Sequence, residues 1–411
     1  MRCRHCGAQL SHTLIDLSFA PPSNAYLTEE DLSAPEIYYP LRVLVCDSCW
    51  LVQTEDFSTA AELFCPDYSY FSSTSSSYVR HAEKYSEAII SDLKLSETSF
   101  VLEIGSNDGY LLKNFIRAGI PCLGIEPTKS TATAAQNLGI NVIQEFFGIK
   151  LAKRLNRQGQ KADLIIANNV FAHVPEVGNF AEALKIVLND RGTITLEFPH
   201  LLELIQNKQF DTIYHEHFSY FSFHSAQAIL ASRGLRVFDV EKLETHGGSL
   251  RVFACHDNDP RAPTQRVLKL LDSENKFGVT DIKTYRNFSN DILDLKLKFL
   301  EFLLRQKINK KSVVGYGAAA KGNTLLNSVG VKGDLLPAVF DAAESKQGKF
   351  LPGSHIPILH PKFIPEFKPD YILILPWNIK EEVVTAVKQN LDLGIKGTRF
   401  LVAVPDIQIF D

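Results

Sequence analysis

The chain has 411 residues, 45% of them hydrophobic and 22% charged, with a formal net charge of −4. That length asks for about two or three domains, and the negative balance argues against a nucleic-acid binder, which needs a basic surface. No run reaches the roughly 18 consecutive apolar residues of a membrane helix. No apolar run of a signal peptide follows Met1-Arg2-Cys3-Arg4-His5-Cys6 either, so neither a membrane partner nor export is expected.

The first expected unit, residues 1–63, holds Cys3-x-x-Cys6, Cys46-x-x-Cys49 and the strand-like run Leu41-Arg42-Val43-Leu44-Val45. Each cysteine pair puts two thiolates on a tight knuckle, and two knuckles supply the four soft ligands of a tetrahedral Zn2+ site. With no open position the zinc is structural and folds a unit too small for a sufficient core. A pair of redox dithiols is the alternative, and His5 is a lesser candidate ligand. The other cysteines, Cys65, Cys122 and Cys255, are scattered. This is no disulfide framework, and it points to a reducing, cytoplasmic setting. After Tyr68-Ser69-Tyr70-Phe71 and a serine-rich stretch, Val79, Ala82, Ala88, Ile89 and Leu93 fall near helical spacing, with Ser76 or Ser77 as the cap.

A second unit, residues 64–258, alternates strand-like runs at 100–104, 122–125, 141–143, 164–167 and 193–198 with helical segments. That pattern predicts an α/β fold, a parallel sheet with helices on both faces. Further strands are expected at 235–243 and 249–254. Asp257-Asn258-Asp259-Pro260 opens a linker. The third unit, 259–411, starts with a long helical tract to about 307 and continues as another α/β segment with strands at 312–317, 338–341, 371–375 and 400–404.

Glu103-Ile104-Gly105-Ser106-Asn107-Asp108-Gly109 joins a strand to a helix, and Glu126 ends the next strand. Gly105 and Gly109 let the backbone approach a ligand, and Glu126 is placed for ribose hydroxyls. A dinucleotide would want Gly-x-Gly-x-x-Gly and a pyrophosphate, which Glu103 repels. Glu103 suits the cationic amino-acid end of S-adenosyl-L-methionine instead, directly or through water. Two polar clusters follow. Asn168-Asn169-Val170-Phe171-Ala172-His173 comes at the carboxyl end of the fourth strand, where open α/β sheets bind ligands. Asn169 and His173 can share one face there; a capping asparagine and a surface histidine are the bland alternative. Tyr214-His215-Glu216-His217-Phe218 sets histidines beside a carboxylate, a natural general-base arrangement, or else a solvated polar turn.

Taken together, these motifs resemble the deoxysugar C-methyltransferases over essentially the whole chain. The resemblance also rests on Thr245-His246-Gly247-Gly248-Ser249-Leu250-Arg251 and Gly315-Tyr316-Gly317-Ala318-Ala319-Ala320-Lys321. It implies a small zinc-binding domain, a class I methyltransferase doubly wound sheet and a C-terminal Rossmann-like α/β domain. Asn107 departs from the middle glycine of the class I motif. The implied cofactor is S-adenosyl-L-methionine, held by Glu103, Gly105, Asn107, Asp108, Gly109, Glu126 and Asn168. The implied substrate is a nucleotide-linked keto-sugar, most often dTDP-linked, methylated beside its ketone. The family's base maps onto His217 with Tyr214 and Glu216 as companions, Tyr68 as an active-site tyrosine, and Asn169 and His173 as its Asn-x-x-x-His. On this reading Glu216 orients or tunes His217, while Tyr214, Tyr68 or His173 stabilises the enolate.

In the third unit, Gly315, Tyr316, Gly317, Lys321 and Asn323 form a strand–loop–helix able to hold an anion, with Asp341 ending the next strand as a ribose contact. The expected ligand is the nucleotide diphosphate of the sugar; a ligand-free unit or an NAD site are alternatives. Two rival functions remain, a nicotinamide-dependent oxidoreductase and a zinc-ribbon binding module. Composition permits a monomer as readily as a homodimer.

Overall fold

The computed structural model describes residues 1–57, 71–390 and 397–411; Tyr68 and Cys65 lie outside them. The N-terminal part is an antiparallel meander of β1 (His12–Ala20), β2 (Tyr39–Val45) and β3 (Val52–Thr54). One cysteine knuckle precedes β1 and the other joins β2 to β3. Each knuckle closes through a residue in the left-handed region. Gly7 (φ +76°) donates its N–H to Cys3 O at 3.0 Å, and Trp50 (φ +61°) donates to Cys46 O at 3.0 Å.

The central sheet is built from β4 (Val101–Ile104), β5 (Cys122–Ile125), β6 (Val142–Ile143), β7 (Ala162–Asn168) and β8 (Leu188–Pro199), all parallel. The next strand, β9 (Ser219–Tyr220), leaves this sheet and pairs with the edge of β3, Val52 opposite Tyr220 and Gln53 opposite Ser219. An antiparallel hairpin of β10 (Leu235–Leu243) and β11 (Ser249–His256) completes the order β10-β11-β8-β7-β4-β5-β6. Alternate residues explain why β4, apart from Glu103, and the 164–167 stretch of β7 read as apolar runs. Leu102, Ile104 and Ile165 enter one core, and Val101, Leu164 and Ile166 enter the other with Ala82, Phe115 and Ala135. A strand covered on both faces has no polar side to show.

After the helices Gln265–Phe277, Ile282–Arg286 and Phe288–Ile308 comes a third sheet. It comprises β12 (Val313–Tyr316), β13 (Val339–Phe340), β14 (Ile358–Leu359), β15 (Tyr371–Ile374), β16 (Arg399–Val402) and an antiparallel edge strand β17 (Gln408–Phe410), in the order β14-β13-β12-β15-β16-β17. This part has no core of its own on the side facing β1. Leu14, Val43 and Val45 share one apolar cluster with Phe299, Leu303, Val313 and Leu325. Both larger sheets reverse strand order beside a glycine loop, at β4 and at β12. A crevice opens at such a switch point.

Candidate active site

Cys3, Cys6, Cys46 and Cys49 bring their sulfurs within 4.8 Å of one another. Cys3 Sγ is 3.5 Å from Cys49 Sγ, and Cys6 Sγ is 3.5 Å from Cys46 Sγ. Thiolates about 2.3 Å from a tetrahedral zinc lie roughly 3.8 Å apart, so donor chemistry and spacing both fit a closed structural zinc. The site carries no chemistry, but it anchors β3, and β3 holds β9, the strand that follows His217.

A cavity of about 350 Å³ opens between the carboxyl end of the central sheet, the 214–217 segment and the start of the helix Ala320–Val329. On the first side, Gly105 turns at φ +66°; a Cβ there would lie 2.5 Å from Val170 Cγ2. Asn107 itself adopts φ +48°, a conformation asparagine tolerates better than most residues. That is how the loop turns without the motif's middle glycine. The Asn107 N–H donates to Glu126 Oε2 and the Thr128 N–H to Glu126 Oε1, both at 2.9 Å. The carboxylate is thereby fixed on the cavity wall with lone pairs left for hydroxyl donors. Asn168, at the end of β7, also lines the cavity, and its buried Oδ1 has no partner among the described residues.

Three expected cofactor residues stand outside the cavity. Gly109 (φ +79°) packs the helix start, since a Cβ would meet Ile140 Cδ1 at 2.3 Å. Asp108 Oδ2 accepts from Ser73 N–H at 3.1 Å, as Asn107 Oδ1 does from Ser72 N–H at 2.9 Å, so the pair latches the loop to the segment entering the helix Ser76–Leu93. Glu103 is buried behind the wall. Burial, with Glu126 and Asp108 nearby, raises its pKa well above the ordinary carboxyl value. One of its oxygens has no partner among the described residues, and it does not meet the cavity.

The opposite wall carries Tyr214, Glu216, His217 and His173. His217 Nδ1 lies 2.9 Å from Thr212 O, and His173 Nδ1 lies 2.9 Å from Glu216 O. A carbonyl oxygen only accepts, so in both neutral rings the hydrogen sits on Nδ1 and the lone pair on Nε2. The sequence reading had Glu216 orient the base. Here the Thr212 carbonyl holds the His217 ring, while the Glu216 carboxylate accepts from Asn24 Nδ2 at 2.9 Å. Burial, then the neighbouring His173, pushes His217 well below its ordinary pKa, and burial takes His173 to about 4. The two rings meet edge-on at 4.8 Å, and Tyr214 lies 4.0 Å from His217, centroid to centroid. A neutral His173 with its hydrogen on Nδ1 offers the cavity an acceptor, not the donor expected of an enolate stabiliser. Asn169 (φ +55°) donates from Nδ2 to Tyr78 OH at 2.8 Å. His215 points away, its Nε2 3.3 Å from Tyr39 O.

From the third sheet, Ala319, Ala320, Lys321 and Lys346 reach the cavity. Lys321 Nζ donates to Asn378 Oδ1 at 2.6 Å and lies 4.6 Å above the Trp377 ring. The remaining residues expected to bind substrate do not line the cavity. Asp341 takes the loop's own N–H groups, Ala318 at 2.7 Å and Ala343 at 2.8 Å. Asn323 donates to Ser23 O at 2.6 Å. Gly315 and Gly317 make room for Val339 and for Pro376, and Tyr316 is packed in the core. Asn24, Tyr78, His246 and Lys346 line the cavity without having been foreseen. Only His246 carried a sequence signal, the Gly-Gly pair after it that marks a tight turn. Asn24 meets Glu216 across 192 positions of chain, which no local pattern encodes.

Three family models match the chain: "Putative zinc binding domain" over residues 3–64, "Methyltransferase domain" over 78–240 and "C-methyltransferase C-terminal domain" over 244–405. The C-methyltransferase NovU of Streptomyces niveus is 33% identical over 407 residues, spanning 99% of this chain and 96% of NovU. Among solved structures, magnesium protoporphyrin IX methyltransferase ChlM from Synechocystis PCC 6803 with bound SAH matches at 16% identity and TM-score 0.35, over 44% of this chain and 83% of its own. The YcgJ protein of Bacillus subtilis matches at 13% identity and TM-score 0.35, over 44% and 100%. By its three matched domains and its full-length likeness to NovU, the chain belongs to this C-methyltransferase family and is a zinc-binding, S-adenosyl-L-methionine-dependent C-methyltransferase.

Proposed function

We propose that the chain methylates the carbon beside the ketone of a nucleotide-linked keto-sugar, a dTDP-linked deoxysugar being the expected class, with His217 as the base. The observation that carries this reading is one cavity shared by the His217 ring, the Gly105–Asn107–Glu126 wall and two lysines of the third sheet. The cofactor supplies a methyl group on a cationic sulfur. Glu126 accepts from the ribose hydroxyls, and the backbone at Gly105 and the Asn168 side chain complete that wall. Lys321 and Lys346 face the diphosphate of the sugar.

A carbon beside a ketone becomes a nucleophile once it loses a proton. Nε2 of His217 takes that proton, the C–H electron pair becomes the enolate, and the new electron-rich carbon accepts the methyl. Tyr214, with Tyr68 outside the described residues, is placed in this scheme as a donor to the enolate oxygen.

The test is mass spectrometry of reactions with a panel of nucleotide-linked 4-keto-sugars, where a gain of one methyl group is expected. His217→Ala should abolish both turnover and deuterium exchange at the carbon beside the ketone while S-adenosylhomocysteine binding persists. Near-normal turnover in that variant would remove His217 from the role of base.

A further inference from the structure

Three histidines line the cavity, and their tautomers differ. His173 and His217 each spend the Nδ1 hydrogen on a backbone carbonyl, Glu216 O and Thr212 O, so Nε2 is the acceptor nitrogen in both rings. His246 is different. Neither of its ring nitrogens has a hydrogen-bond partner among the described residues, and Nδ1 is sealed from solvent. A hydrogen on that sealed nitrogen would have no acceptor, which is costlier than an unused lone pair. The hydrogen therefore belongs on Nε2. Burial, then Lys321, takes the ring's pKa down to about 4, so it stays neutral at ordinary pH.

The backbone is built to present this ring. His246 sits at φ +56°, ψ +16°, a conformation uncommon outside glycine and one that gathers at functional sites. Its turn is pinned from several sides. Thr245 Oγ1 donates to Glu197 Oε1 at 3.0 Å, Gln209 Nε2 donates to Gly247 O at 2.7 Å, and His200 N–H donates to Gly248 O at 3.1 Å. Gly247 and Gly248 admit no side chain: a Cβ would lie 2.4 Å from Trp377 Cη2 at the first and 2.7 Å from Glu203 Cγ at the second. The ring meets Tyr78 edge-on at 5.8 Å.

We propose that His246 is a further catalytic residue, a neutral imidazole whose Nε2–H donates to the substrate oxygen that gains charge when His217 removes the proton. The step balances. The proton passes to His217 Nε2, the C–H pair forms the carbon–carbon double bond, and the carbonyl π pair moves onto oxygen, where the His246 hydrogen bond strengthens. As the methyl group is transferred, the double-bond pair forms the new carbon–methyl bond, the oxygen pair returns to re-form the ketone, and the pair of the broken sulfur–methyl bond stays on sulfur. This inference rests on the keto-sugar reading above.

Two measurements test it. In the wild type, ¹⁵N NMR of the imidazoles should show the hydrogen on Nε2 at His246 and on Nδ1 at His173 and His217; an Nδ1–H tautomer at His246 overturns the proposal. His246→Met and His246→Gln share the same backbone strain, but only glutamine keeps an N–H donor near the Nε2 position. Removing one such donor should lower kcat and deuterium exchange by about 10²–10³-fold in the methionine variant. The glutamine variant should stay within about tenfold of wild type, with S-adenosylhomocysteine binding unchanged in both. A methionine variant as active as the glutamine one overturns the donor role. A wild type that exchanges no proton on any nucleotide-linked keto-sugar overturns the keto-sugar reading itself.

Discussion

Gly105→Ala puts the cofactor wall under a load that can be worked out from the structure. Gly105 holds φ +66°, so an alanine pays about 1–2 kcal/mol for the left-handed conformation alone. Its Cβ would lie 2.5 Å from Val170 Cγ2. Val170 follows Asn169, itself at φ +55° and tied by its N–H to Glu197 O at 2.7 Å, so the valine has little backbone freedom to retreat. Overpacking of this kind costs about 1–3 kcal/mol, giving a total of roughly 2–5 kcal/mol. Gly105→Ala/Val170→Ala removes the struck methyl but keeps the backbone cost, so it should recover about 1–3 kcal/mol of that loss. Urea denaturation and S-adenosylhomocysteine titration of the two variants measure both terms. A single variant as stable as wild type, or a double variant no better than the single, would refute the account of this turn.

Zinc removal should disable a reaction the metal takes no part in. Chelation frees the two knuckles, one before β1 and the other between β2 and β3, and β3 carries β9, the strand that follows His217. Loss of turnover accompanied by a lower melting temperature, both restored by zinc, is the expected outcome; full activity in a metal-free chain would break this link. The histidines set the pH response. His173 and His246 titrate near 4 in the folded chain against about 6.5 unfolded. The unfolded state therefore binds more protons between these values, and stability falls as pH drops from about 6.5 to about 4. The acid limb of kcat/KM should lie well below pH 6.5, because His217 is depressed in the same direction. A limb at or above 6.5 in the pH–rate profile contradicts this.

Local chemistry made much of the molecule legible. Cysteine spacing announced four sulfurs that converge within 4.8 Å. Continuous apolar runs announced buried parallel strands, because a strand covered on both faces carries no alternation. The acid, glycine and asparagine of the 103–109 loop announced a strand-to-helix turn. What stayed illegible has two causes: some partners lie far along the chain, and others are main-chain groups. Glu216 meets Asn24, His217 is oriented by a main-chain oxygen that no side-chain motif reports, and Asp341 and Asn323 are engaged by their own loop and by Ser23.

The sequence by itself determined the strands of the central sheet, the knuckles, the glycine turns and the identity of the groups able to move a proton, since these depend on neighbours a few residues apart. Only the tertiary structure decided which of those groups share a wall and which nitrogen of each imidazole keeps its hydrogen. Such choices depend on acceptors and packing surfaces that come together when distant segments fold against one another.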